Sequence, residues 1–184
     1  GWYDCVLAEM EEYRHILSLT GGTYTAKKCK AAVFINETAP QGEWCVLLAA
    51  CGVPYDIFLS EDYSLAKDYG LFVSLTEQND DIRFYAQNNR IPYFCTAAKE
   101  KEDLSGMIDS TPFVRITHDH IVYLGNGFFA IHGTKTGETQ LCFDRKVRLI
   151  PIGTESRILE GKDIPIFVKE CETVIFRIWD IQTE

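Results

Sequence analysis

The chain has 184 residues, 46% hydrophobic and 24% charged, enough to bury the core of one large or two small domains. Its 11 Phe, 9 Tyr and 3 Trp exclude disorder, and its length falls well short of the roughly 250 residues of a complete (β/α)8 barrel. The net charge is −9 and no run of lysine or arginine interrupts it, so nucleic acid and anionic membrane are excluded as partners.

In chain order, Val6, Met10, Tyr13 and Leu17 stand three and four apart, the stripe of an amphipathic helix over residues 3–18 that Gly21-Gly22 ends. The apolar run Cys29 to Asn36 is too short for a helix and suits a strand buried on both faces. A nearly all-apolar helix follows from Gly42 to Gly52, then a strand from Pro54 to Ser60 and an acidic turn and helix through Lys67. Tyr69 to Leu75 reads as a third strand, Asn79 to Asn89 as a helix that opens on good cap residues, and Ile91 to Ala97 as a fourth strand. This alternation predicts a small three-layer α/β unit over residues 1–98, a parallel sheet with flanking helices of flavodoxin-like order.

Residues 99–110 (KEKEDLSGMIDS) read as a polar linker with one helical turn. From Thr111 the helical period disappears. Seven short runs rich in β-branched and aromatic residues follow, at 112–117, 121–125, 127–133, 139–143, 147–152, 164–168 and 173–179. They predict an antiparallel β-sandwich over 111–184, with THDH (117–120) and DRK (144–146) at hairpin tips.

The seven cysteines, at 5, 29, 45, 51, 95, 142 and 171, form no CxxC pair and no zinc spacing. They read as small, mostly buried hydrophobes, free in a reducing and therefore cytoplasmic setting. No apolar run approaches the ~18 residues of a membrane span, so the chain reads as soluble. The chain starts Gly1-Trp2 without methionine, as a piece cut from a longer polypeptide would.

Three enzyme-like readings of the first half fail on their residues. A flavodoxin phosphate loop needs hydroxyls after the first strand, but NETAPQGE offers one Thr and two acids. A receiver-type acidic pocket would have to come from Glu37, Asp56 and Asp62, which are scattered. An amidotransferase needs its cysteine in a strand-to-helix elbow, whereas Cys51 ends a helix beside the cap glycine Gly52. In the second half, His118 and His120 would share a face if they lay on a strand and could then hold a metal; an exposed turn is the plainer reading of His118-Asp119-His120. His132 has no acidic or nucleophilic neighbour in sequence. No catalytic residue, cofactor site or metal site is therefore expected, and no nucleotide loop is present.

Three stretches carry a resemblance. The leading helix runs into KKCKAAVFINE (Lys27 to Glu37). LLAACGVPYDIFLSEDYSLAKDYGLFVSL (Leu47 to Leu75) ends a helix at a glycine, opens a strand with G-x-P-Y-D and continues through an acidic turn into D-Y-x-L. GNGFFAIHGTKTGETQLCF (Gly125 to Phe143) leads on through ETVIFRI. Together they resemble the accessory region behind the barrel of glycoside hydrolases, notably β-galactosidases of family forty-two. The resemblance implies an amidotransferase-like α/β domain without amidotransferase activity, which serves oligomer contacts and the rim of the substrate pocket, followed by a small β-sandwich. The catalytic glutamates of that family belong to the barrel, and its α/β domain is larger than the 98 residues here. The chain is thus expected to be a non-catalytic accessory region whose partners are the catalytic barrel of a parent chain, carbohydrate and a second copy. In the alternative reading, a carbohydrate-binding module, Tyr123, Phe128, Phe129 and Trp179 would form a displayed aromatic strip. An independent small hydrolase or amidotransferase is the least favoured reading, for want of a nucleophile–base pair.

Overall fold

A computed structural model describes residues 27–36, 42–75, 79–98, 101–153 and 157–181. The helical stripe at 3–18, Gly21-Gly22, Cys5 and Glu37 lie outside them. Strands β1 (Ala31–Ile35), β2 (Tyr55–Leu59), β3 (Leu71–Ser74) and β4 (Tyr93–Cys95) form a parallel sheet in the order β2-β1-β3-β4. Val33 of β1 stands opposite Ile57 of β2 and Val73 of β3. The expected parallel sheet is present, and the alternation of side chains explains why its strands read as continuous apolar runs.

Ala31, Val33, Leu71, Val73 and Phe94 face one layer, where Leu48 of helix α1 (Gly42–Ala50) packs. Ala32, Phe34 and Phe72 face the other, covered by Ala66 of the 3-10 helix Ser60–Ala66 and by Ile82 and Ala86 of helix α2 (Asp80–Asn88). The Phe34 and Phe72 rings meet edge-on at 4.9 Å, and burying each is worth about 2 kcal/mol. Helix α2 begins where Asn79 accepts bonds from the Asp81 and Ile82 amides at 3.0 and 3.2 Å.

Lys101–Ser110 form a three-turn helix, α3, where a polar linker with one turn was expected. The charged surface of this segment hid a stripe four residues apart: Leu104 and Ile108 are fully buried on the same layer as α1. The next segment, 112–117, is not a strand. Phe113 adopts a left-handed backbone (φ 65°), which breaks extension, and Val114 and Ile116 are drawn into two different cores.

Among the described residues the antiparallel part has five strands rather than seven: β5 (Ile121–Gly125), β6 (Phe128–His132), β7 (Gly137–Pro151), β8 (Leu159–Val168) and β9 (Thr173–Asp180). All belong to one sheet, ordered β5-β6-β9-β7-β8, so the described strands do not divide into two separately bonded layers. The runs 139–143 and 147–152 belong to a single long strand. Asp144-Arg145-Lys146 is no hairpin tip but an irregularity within it: β7 advances from Cys142 to Val147 while β8 moves only from Asp163 to Gly161. The bend brings Phe143 edge-on to Phe129 of the non-adjacent β6, ring centroids 5.5 Å apart, so the sheet curls over its own core. THDH precedes β5 as a bend, because no strand runs into it.

The two sheets interlock. Cys29, just before β1, is buried in the antiparallel core, and Val114 in the α/β core. The Ile116 amide donates to the Gly52 carbonyl at 3.0 Å, while the Ile116 carbonyl accepts from the Cys142 amide at 2.9 Å. None of the described helices is long and apolar enough to cross a membrane.

Candidate functional site

The groups considered for chemistry are held apart and engaged with local partners. Cys51 is half-buried against the α/β core at the end of α1, and Gly52 follows with φ +66°. Asp56 is the second residue of β2, at the amino end of the sheet, and Asp62 is exposed on the 3-10 helix. Asp56 pairs with the largely buried Lys30 and accepts a hydrogen bond from the Tyr69 hydroxyl. Burial, then that hydrogen bond, pushes the Tyr69 phenol far above its ordinary pKa. An acidic pocket at the strand ends would need these carboxylates together at the opposite end.

His118 and His120 do not share a face. His118 is exposed and accepts at Nδ1 from the Arg115 guanidinium, 3.0 Å away. His120 is buried, and its Nδ1 accepts from the Thr134 amide at 3.3 Å. Burial holds the His120 imidazole below its usual pKa, only partly offset by Asp119. Asp119 itself pairs with Lys135 at 3.0 Å. His132 meets Thr173 at 2.9 Å across adjacent strands. Among the described residues no cluster of three or more His, Cys, Asp or Glu side chains could hold a metal.

All six described cysteines are free, but only Cys29 is fully buried; Cys171 is exposed, and the other four are half-buried. The expectation of mostly buried thiols fails there because Cys171 occupies a tight turn with φ 61° after β8. The Cys142 thiol is raised by burial and then by its contact with Asp163.

Among the described residues, one surface suited to a ligand is the outer face of the curled sheet. Alternation places Tyr123, Phe128, Arg177 and Trp179 there, and Phe129 on the inner face. Tyr123 is 53% exposed, Phe128 only 8%, and Phe129 is completely buried, so the proposed four-residue strip is split between the faces. The Arg177 guanidinium lies over the Trp179 indole, 4.4 Å from its centroid. The other surroundings of Trp179 form a cavity of about 320 Å³, lined also by Arg148, Ile150, Asp180 and Ile181. An aromatic wall beside a guanidinium and a carboxylate can hold the apolar face of a sugar ring while donating to and accepting from its hydroxyls. Sequence could nominate Tyr123 and Trp179 from alternation; Arg148 and Ile150 reach the Trp179 cavity only through the pairing of β7 with β9.

No family model and no curated protein matches the chain. Among solved structures it is similar to an Anoxybacillus alpha-amylase described as giving insights into a new glycosyl hydrolase subclass. The identity is 12% and the TM-score 0.25, over 78% of this chain and 46% of that one. The chain spans less than half the length of that protein. This is a loose structural link to a glycosyl hydrolase chain, and no residue role transfers along it.

Proposed function

We propose that the chain is a non-catalytic accessory region of a larger carbohydrate-active enzyme of the glycoside hydrolase type, bracing a catalytic barrel in the same polypeptide. The observation that carries this reading is the edge of the parallel sheet at β2, with which no other described strand pairs on its outer side. On edge strand β2, Ile57 is 55% and Leu59 42% exposed, on the face that α1 covers further along. An edge strand bearing large exposed apolar side chains is a surface that proteins normally cover. The barrel is its proposed cover, with a second copy as the other candidate. Free thiols accord with the reducing, cytoplasmic setting this reading assumes. A flavodoxin-like order for the first unit and a sandwich-like closure of the second are part of the same proposal.

The test is a turnover panel of aryl glycosides, glutamine and aryl esters. Background rates are expected, unchanged in Cys51→Ala and His132→Ala. Turnover abolished by either substitution would overturn the proposal. Tyr123 and the Trp179 cavity favour a second reading, a sugar-binding face. Oligosaccharide binding without turnover, lost in Trp179→Ala and Tyr123→Ala, would establish it.

A further inference from the structure

At the amino end of the parallel sheet a second cavity, of about 490 Å³, opens between the turns before β3 and β4, the turn before β1 and the end of α3. Three cations line it, Lys28, Lys67 and Arg90, against one carboxylate, Asp68. On a chain of net charge −9 this is a local reversal of sign. The three come from distant parts of the sequence. Gly70 allows the approach: a Cβ there would fall 2.1 Å from the Lys28 carbonyl oxygen, so only glycine lets the chain before β3 run against Lys28.

The cations do not serve as helix caps. The carbonyls that end α2 already accept backbone amides, Tyr85 from Asn89 at 3.1 Å, Ala86 from Ile91 at 2.9 Å and Gln87 from Arg90 at 3.1 Å. Met107 and Ile108 of α3 accept from the Thr111 hydroxyl and amide at 2.8 and 3.1 Å. Among the described residues, Lys28, Lys67 and Arg90 make no ion pair. Two of the lining residues also hold left-handed backbones without being glycine, Arg90 (φ 56°) and Phe113 (φ 65°). Position 90 follows the end of a helix, where glycine is the low-cost residue, so an arginine there holds backbone strain. Phe113 is 39% exposed, and the Lys162 ammonium of β8 sits 4.3 Å over its ring. Tyr69 also lines the cavity, with its ring packed edge-on against Phe58 at 5.4 Å.

We infer that this cavity binds a small organic anion, its phosphate- or carboxylate-type group held by Lys28, Lys67 and Arg90 and its planar or apolar body against Phe113. The size fits a small-molecule site, and strained backbone is kept where it places a working side chain. This inference does not depend on the accessory role.

The test is calorimetric titration of the full chain with phenyl phosphate, inorganic phosphate and phenol at low ionic strength. Phenyl phosphate is expected to bind most tightly, phosphate more weakly and phenol not at all, with affinity falling as salt is added. Arg90→Gly should weaken phenyl phosphate about fivefold and raise the melting temperature by about 2 °C, because it relieves the left-handed arginine. Lys67→Glu, at an exposed position, should abolish binding with the fold intact. The inference is overturned if Arg90→Gly lowers the melting temperature, which would make Arg90 structural. It is equally overturned if either variant binds as the parent does, or if phenol binds as well as phenyl phosphate.

Discussion

Gly52 is the residue on which the junction of the two sheets turns. Its φ is +66°, and a Cβ would fall 1.9 Å from the Thr117 carbonyl oxygen, a backbone atom that cannot yield without moving the whole 114–117 segment. Gly52→Ala is therefore expected to cost about 3 kcal/mol or more, from left-handed strain plus overpacking, read as a fall in the urea midpoint. An unchanged midpoint would mean that the junction gives way freely. His120 yields a second expectation. Its folded pKa lies below the unfolded value, so as pH falls the unfolded chain takes up the proton first and native stability drops. The drop begins near the unfolded value of about 6.5, continues toward the lower folded one and then levels off. Urea midpoints taken on either side of that window should differ, and the His120 share of the difference should vanish in His120→Gln. An equal pH dependence in that variant would assign the effect elsewhere. Of these two residues, sequence identified Gly52 as a cap but not its contact with Thr117, which lies 65 positions away in a segment whose path only the tertiary fold decides.

At the scale of elements, edge strand β2 carries the clearest expectation. Ile57→Lys with Leu59→Lys places charge on this exposed edge strand, the device by which natural sheets discourage added strands. The isolated parent chain should associate in sedimentation at high concentration, and the doubly substituted chain should remain monomeric with unchanged circular dichroism. A parent that stays monomeric throughout would remove the reason for assigning a partner to this edge. The four parallel strands and helices α1 and α2 were legible because period and type agree along each. Helix α3 was obscured by its charged outer face, Leu104 and Ile108 being the only fully buried side chains of the ten. The 112–117 run has the composition of a strand, but Phe113 is left-handed and its neighbours serve two cores. Asp144-Arg145-Lys146 has the polarity of a turn; Leu141, Phe143, Val147 and Leu149 nevertheless lie in one core, so the strand continues through a kink. Local composition cannot tell a polar tip from a polar kink. The candidate sites were still less legible, since the cations of the amino-end cavity, Lys28, Lys67 and Arg90, lie far from one another in sequence.

For the whole molecule, the seam predicts shared stability. Ile116 is fully buried in the antiparallel core, while its amide holds Gly52 of the α/β unit. Ile116→Ala should cost about 2–5 kcal/mol. If the sheets form one cooperative unit, hydrogen exchange should quicken for the slowest amides of β1 as well as those of β6. Acceleration confined to β6 would make the two halves independent.

The strand order has a further consequence, for the timing of assembly. In the series β5-β6-β9-β7-β8, the strand in the middle is the one the ribosome makes last of the five. Until Thr173–Asp180 emerges, β5–β6 and β7–β8 can exist only as two separate hairpins, each with an open side awaiting the same insertion. Loss of β9 would thus split the sheet rather than shorten it. During synthesis, the two open edges are the interval of greatest exposure to misassociation.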